Sequence, residues 1–300
     1  MKLVQCVPNF SEGRRPDVID QIVAGVQSAG VTLLDVNPDA DHNRVVVTFV
    51  GEPDQVLEAA FRGIKLASQL INMEEHTGEH PRLGATDVIP FVPLTGATMA
   101  DCIALAETLG EKIARELDIP VYLYESAAKV PERRNLADVR RGEYEALKLE
   151  IGEPARKPDF GPARMHPTAG AVVVGARPAL VAFNVNLDSD NVKAAKAIAK
   201  AVRQSSGGLP AVKALGLMIE ANHQAQISMN MVDFNMTGLL TVYRAIEVEA
   251  HKLGVGIANS EIVGLVPVKA LLDVVMSELK LTDFSLEQVL ELKLAARNEG

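Results

Sequence analysis

The sequence predicts an α+β protein made of two βαββαβ subdomains in tandem, and three observations predict it. Strand and helix signals follow the order βαββαβ from residue 3 onward, a long polar stretch then interrupts them, and the same order returns beyond residue 178. That order closes as an antiparallel sheet with two helices on one face, a ferredoxin-like sandwich. The subdomains are expected over residues 1–177 and 178–300, in pseudo-symmetry and with a cleft between them.

Leu3 to Val7 reads as a short buried strand ended by Pro8 and Asn9. From Pro16 to Ser28, Val18, Ile19, Ile22, Val23 and Val26 recur at helical spacing, and Gly30 supplies a stop. Val31 to Val36 is a second strand, the turn-rich NPDADHN follows, and Arg44 to Val50 is a third. Pro53 to Leu70 is a helix with Val56, Leu57, Ala60, Phe61 and Ile64 on one face. Val88 to Val92 closes the first unit, with a further helix over Met99 to Leu117 and a strand over Val121 to Tyr124. The segment from Glu125 to about Thr168 is rich in Pro and charge and reads as a connector, with one short helix around Leu136 to Leu147. The second unit follows: strand Val181 to Val185, helix Asn191 to Val202, and a hairpin of Ala214 to Ile219 with Ala225 to Met231 through Ala221, Asn222 and His223. Helix Gly238 to Leu253 and strand Ser260 to Val266 complete it. The last helix is opened by a capping box, Ser285 with Gln288.

Composition narrows the class. At 48% hydrophobic and 23% charged the chain can bury a core, so a disordered protein is excluded. With no Trp and few aromatic residues, the core falls to Val, Ile, Leu, Ala and Met. A net charge of -9 argues against nucleic acid or anionic membrane as partner, and any anionic substrate needs a local basic pocket. Cys6 and Cys102 offer neither a disulfide framework nor a metal spacing and read as buried thiols. Without a signal peptide or an apolar stretch of spanning length, a cytoplasmic location is expected.

Five segments carry possible chemistry. VPNFSEGRR, Val7 to Arg15, is a strand-to-helix turn whose free amides, with Arg14 and Arg15, could receive an anion; an ordinary capped turn is the commoner outcome for such a segment. INMEEHTGEHPRLGATDVIPFVP holds His76 and His80 four apart, but Gly78 between them, Pro81 after them and Thr77 in place of the glutamate of H-E-x-x-H speak against zinc. His80, flanked by Glu79 and Arg82 on a loop before a buried strand, is placed to titrate near neutrality and exchange protons, although loop-anchoring histidines are more frequent. DFGPARMHPTAG, Asp159 to Gly170, presets an irregular backbone whose amides could meet a flat polar ring, or serves as a plain turn. In FNVNL, Asn184 and Asn186 share one strand face. In GLVPVKALLD, Lys269 sits near a helix start, where the dipole disfavours a cation, so it answers an anionic ligand or a nearby carboxylate.

Taken in order, VPNFSEG, GEHPRLGATDVIPFVP, DIPVYLY, RRGEYEAL, PDFGP, AFNVNL and GLVPVKALLD closely resemble the formiminotransferase domain of the bifunctional formiminotransferase-cyclodeaminases and of their single-function bacterial relatives. The likeness runs from about residue 1 to about residue 275, and with no cyclodeaminase portion following, a stand-alone transferase is expected. The resemblance implies ferredoxin-like subdomains, a homodimer and folate bound between the subdomains; no metal is expected, since no third ligand accompanies His76 and His80. It implies transfer of the formimino group from N-formimino-L-glutamate to tetrahydrofolate, the acceptor substrate, giving 5-formimidoyltetrahydrofolate and L-glutamate in histidine degradation. It assigns the acid/base role to His80, the histidine of GEHPR. It assigns folate contacts to Gly161, Pro162, Ala163, Arg164, Met165, His166, Pro167, Thr168, Ala169 and Gly170; residues 163–166 depart from the Ser- and aromatic-containing stretch of the vertebrate form. Both substrates carry carboxylates, for which Arg14, Arg15, Arg44, Arg82, Arg164 and Lys269 are the candidate cations. The competing readings are formyl transfer between 5-formyltetrahydrofolate and glutamate, a non-catalytic folate-binding module, and a zinc hydrolase resting on the His76–His80 spacing.

Overall fold

A computed structural model describes residues 2–78, 80–219 and 223–298. The chain divides into two compact units, the first ending at Pro178 and the second beginning at Ala179.

The first unit opens with β1 (Val4–Cys6) and β2 (Asn9–Phe10), the two halves of one strand interrupted at Val7 and Pro8. Then come α1 (Pro16–Gln27), β3 (Thr32–Asp39), β4 (Arg44–Gly51), α2 (Pro53–Leu70) and β5 (Thr86–Pro93). β4 lies between β3 and the β1/β2 strand, which in turn pairs with β5, all antiparallel. This is the ferredoxin-like arrangement, because the split first strand lies between the third and fourth strands of the unit while the second, β3, takes the edge beyond β4. α1 and α2 pack against each other, and Ile22, Val26, Val56, Ala60 and Ile64 project from them into a core with Phe10, Phe49 and Phe91. The apolar periodicity in the sequence is this buried stripe.

The sheet then grows in a way the element order did not predict. After α3 (Met99–Leu117) and β6 (Val121–Glu125), β7 (Val172–Ala176) inserts parallel to both β5 and β6. The first unit's sheet is therefore mixed and seven-stranded, where an antiparallel one was expected. β7 is buried at every position, so its sequence shows no alternation to announce it. Nor is the polar segment before it a mere connector. It forms α4 (Leu136–Val139) and α5 (Glu143–Glu150) in place of one helix, broken around Gly142, which has φ 75. Val139, Leu147 and Ile151 from this segment cover Val88, Tyr122, Tyr124 and Val173 on the sheet face away from α1 and α2.

The second unit comprises β8 (Val181–Leu187), α6 (Val192–Val202), β9 (Val212–Ile219), β10 (Gln224–Met231), α7 (Leu239–Lys252) and β11 (Ile257–Val263). Its sheet runs β11-β8-β10-β9, with antiparallel pairing throughout, the same topology as the first four positions of the first unit. Of the turn expected between β9 and β10, Ala221 and Asn222 lie outside the described residues. α8 (Val268–Leu279) and α9 (Leu290–Asn298) follow, and the Ser285–Gln288 capping box opens a short 3-10 turn ahead of α9 rather than α9 itself. Cys6 and Cys102 are free, buried thiols. Among the described residues no helix is long and apolar enough to cross a membrane.

Candidate active site

Three loops of the first unit meet around Asn43, the buried residue before β4. Its Oδ1 accepts from the Gly13 amide at 3.0 Å, its Nδ2 donates to the Thr77 carbonyl at 2.9 Å, and its own carbonyl meets His76 Nε2 at 3.0 Å. Asn43 adopts φ 47, a left-handed conformation that asparagine tolerates. Gly78 belongs to the same junction. A Cβ there would stand 2.4 Å from the His42 carbonyl oxygen, so only glycine lets the loops approach.

The turn after β2 is not an open anion site. Glu12, 3% exposed, folds back and accepts the amides of Arg14 and Arg15 at 2.9 Å each, and its other oxygen takes the Arg15 Nε–H at 2.5 Å. The two turn amides just ahead of α1 are thus met by the chain's own carboxylate. Ser11 Oγ donates to the Gly84 carbonyl at 2.8 Å, tying this turn to the start of β5.

His80 stands on the loop between α2 and β5, half-buried, and its Nε2 accepts from Arg44 Nη1 at 3.0 Å. Arg44 Nη1 also donates to Asn9 Oδ1 at 3.1 Å. The His42 ring meets the His80 ring edge-on, with centroids 6.4 Å apart. His42 is itself held by Asp39, ring Nδ1 to Oδ2 at 2.6 Å, and Asp39 stays below its usual carboxylate range because these hydrogen bonds outweigh its partial burial. Burial, then the cations Arg44 and Arg140, push the His80 imidazole down to about 2. The expectation that His80 titrates near neutrality is therefore overturned for the unliganded protein: the ring is neutral, with its Nε2 lone pair covered. Glu79, expected to flank it, lies outside the described residues.

His76 is half-buried too, bonded to the Asn43 carbonyl at Nε2 and approached by Arg82 Nε at Nδ1 at 3.4 Å, and burial lowers its affinity for a proton. Arg82 is no substrate cation, since its guanidinium is spent on Glu143 at 3.0 Å and on Glu145 at 2.7 Å, both on α5. Tyr144 of α5 donates to Glu74 at 2.6 Å, so α5 clamps the loop that carries His80 from two sides. Among the described residues no cluster of three His, Cys, Asp or Glu could hold a metal.

Residues 161–170 lie in the same unit and against the same loop. The Met73 amide donates to the Thr168 carbonyl at 2.8 Å, the Ala85 amide to Ala169 at 2.9 Å, and the Ala171 amide to Leu83 at 3.0 Å. The segment's later amides are not free, as the sequence reading supposed. His166 and Gly170 bond each other through their backbones, and His166 Nδ1 accepts from Thr168 and Ala169 at 3.3 and 3.0 Å. Gly170 is buried with φ 72, and a Cβ there would lie 2.5 Å from the Leu83 oxygen. Gly161, Ala163, Arg164 and Pro167 are exposed, while Pro162, Met165, His166 and Thr168 are intermediate.

The cations can now be ranked. Arg15 is tied to Glu12, Arg82 to α5, and Arg164 to Asp118 on the surface. Lys269 pairs with Asp273 one turn along at 2.8 Å, which answers the dipole question with a carboxylate. Arg44 and Arg14 have no carboxylate partner among the described residues; Arg14 Nε donates to the Ala40 carbonyl. Asp39, His42 and Asn43 were overlooked in the sequence, although a β-hairpin turn that combines two Asp, a His and an Asn ahead of an Arg was the signal.

A split central strand, a histidine loop clamped from two sides and a glycine-pinned segment beside it define one class of protein. A family model described as the N-terminal subdomain of the formiminotransferase domain matches residues 3–177, and one described as the formiminotransferase domain matches residues 182–296. The chain belongs to the formiminotransferase family. It is 50% identical over 97% of its length to a glutamate formimidoyltransferase of Streptococcus pyogenes, covering 98% of that protein. It is 46% identical, over 98% of each chain, to the glutamate formimidoyltransferase of Thermoplasma acidophilum. Against the formimidoyltransferase-cyclodeaminase of Rattus norvegicus it is 46% identical over 91% of its length, spanning 51% of that protein.

Proposed function

We propose that the protein transfers the formimino group of N-formimino-L-glutamate to tetrahydrofolate, releasing L-glutamate and 5-formimidoyltetrahydrofolate. The observation that carries this reading is full-length likeness to two stand-alone glutamate formimidoyltransferases, at 50% and 46% identity. Formyl transfer and a non-catalytic folate-binding role are not favoured by these relatives.

In the chemistry, a pterin N–H nitrogen attacks the formimino carbon and forms the new C–N bond. The tetrahedral adduct then breaks its bond to the glutamate nitrogen. One proton leaves the attacking nitrogen and one reaches the departing amine. A single imidazole can accept the first at Nε2 and deliver it to the second, so no covalent intermediate is needed. His80 is our candidate for this proton shuttle, because it is a neutral imidazole on a braced loop beside a cation with no carboxylate of its own. Residues 161–170 are our candidate folate segment, supported by their backbone bonds to both ends of the His80 loop. Their exposed positions, Gly161, Ala163, Arg164 and Pro167, are the ones available to a ligand. A homodimer and a cytoplasmic location complete the reading.

Turnover with tetrahydrofolate and either N-formimino- or N-formyl-L-glutamate tests it. Turnover is expected with the formimino donor and at most a small fraction of that rate with the formyl donor. Preference for the formyl donor, or binding of tetrahydrofolate without turnover of either, overturns the proposal.

A further inference from the structure

Among the described residues Arg44 is the one guanidinium in direct hydrogen-bond contact with His80, and it is incompletely satisfied. Its Nη1 serves Asn9 and His80, its Nε is buried with no acceptor, and among the described residues its Nη2 has none either. An orphaned buried N–H of a charged group is costly, so a guanidinium held this way has free energy to gain from an anion. The nearby carboxylates do not supply it. Asp87 is bonded to Arg140 and to the Leu83 amide, and Asp39 is bonded to His42. They contribute to the field at Arg44 without touching it, while Arg140 adds positive charge to that field. His42, against the His80 ring, also opposes a proton there.

We propose that Arg44 is the carboxylate anchor for the glutamate moiety and, through the same guanidinium, a positioning residue that keeps the His80 Nε2 lone pair covered until a carboxylate draws Arg44 away. With no anion bound, Nη1 donates to Nε2 and a positive charge faces any proton arriving there. A carboxylate accepting from the Nε and Nη2 edge replaces an imidazole acceptor with a charged one, which makes the stronger hydrogen bond. The new ion pair cancels the charge that opposed protonation, and Nε2 is released to accept the proton of the attacking nitrogen. The histidine thereby becomes a competent base only when the donor is seated, which keeps it from acting without substrate. This inference rests on His80 being the proton shuttle.

Histidine-ring NMR on the full chain, with His80 assigned from the His80→Gln variant, tests the coupling using L-glutamate as the probe. In the free wild type the His80 ring is expected to stay neutral down to the acid limit of the fold. At saturating L-glutamate, with binding verified by calorimetry, its ionisation is expected to rise by at least one pH unit. In Arg44→Gln, His80 is expected to ionise at higher pH without ligand and to ignore L-glutamate, while KM for the formimino donor rises at least tenfold. Arg44→Lys keeps the charge without the forked donor set and supplies the same readout should the glutamine variant not fold; it is expected to show a smaller response. L-glutamate that binds and leaves the His80 ionisation unmoved overturns the gating, even when His80→Ala abolishes turnover. Unimpaired turnover in His80→Ala overturns the shuttle itself, so the two failures are distinguishable.

Discussion

The two units share a topology and differ in what covers their sheets. In each, a central strand is flanked by the third and fourth strands of a βαββαβ unit, with two helices on one face. In the first unit the other face is covered as well, because α4, α5 and their flanks pack on Val88, Tyr122, Tyr124 and Val173. In the second, residues of that face form a polar ladder: Asn184 donates to Glu261 at 2.9 Å, Asn186 to Asn259 at 2.6 Å and Gln226 to Asn186 at 3.0 Å. β11 is an edge strand whose middle residues are exposed. The difference teaches where charge chemistry can arise. A doubly covered sheet takes charged groups such as Asp87 and Arg82 out of water, where incomplete pairing is expensive. The face without such a cover pairs amides with one another and with Glu261 instead.

The sharpest way to break this comparison is His80→Ala. We expect turnover to fall by roughly two to four orders of magnitude with tetrahydrofolate binding kept, as steady-state kinetics and calorimetry will measure; near-normal turnover would move the chemistry elsewhere, with His166 next to test. Asp87→Asn comes second. Asp87 is 2% exposed on the side chain and paired with Arg140, so losing its charge strands a largely buried guanidinium, at a cost of about 3 kcal/mol in denaturant unfolding. Removing an amide from the polar ladder, Gln226→Ala, breaks hydrogen bonds without stranding a buried cation and should cost only about 1 to 2 kcal/mol. Equal losses at the two positions would dissolve the distinction between covered and open faces.

Gly170→Val is expected to lower thermal stability outright, since a Cβ there lies 2.5 Å from a backbone oxygen at φ 72. Weakened tetrahydrofolate binding with stability unchanged would mean the neighbouring backbone yields easily. Acid stability sharpens the contrast further. The His80 imidazole is depressed to about 2 in the fold, so below the unfolded value of about 6.5 the unfolded chain binds the extra proton and stability falls with falling pH. The contribution is at most about 1.4 kcal/mol per pH unit, and His80→Gln should flatten the urea midpoint between about pH 6 and pH 4. At the small end, Arg164→Ala removes an ion pair whose side chains are both 59% exposed and should change stability by less than about 0.5 kcal/mol.

What the sequence determined by itself was local. Apolar spacing at three and four residues marked α1, α2, α3, α6 and α7, and apolar runs bounded by Pro, Gly and Asn marked the strands of both βαββαβ units, because each signal depends only on neighbours along one element. The loop with His80 and the segment 161–170 were also visible, as unusual runs of Gly, Pro and His. Only the tertiary structure decided β7, whose partners β5 and β6 are far away in the chain and whose two buried faces leave no periodicity. It alone decided which charges are already met. Arg82 finds its acids on α5, Arg140 finds Asp87, Glu12 fills the turn beside it, and Arg44 is left facing His80. Ion pairing is a contest among groups brought together by folding, and a charge's availability depends on the partners it fails to reach, which no stretch of sequence around it records.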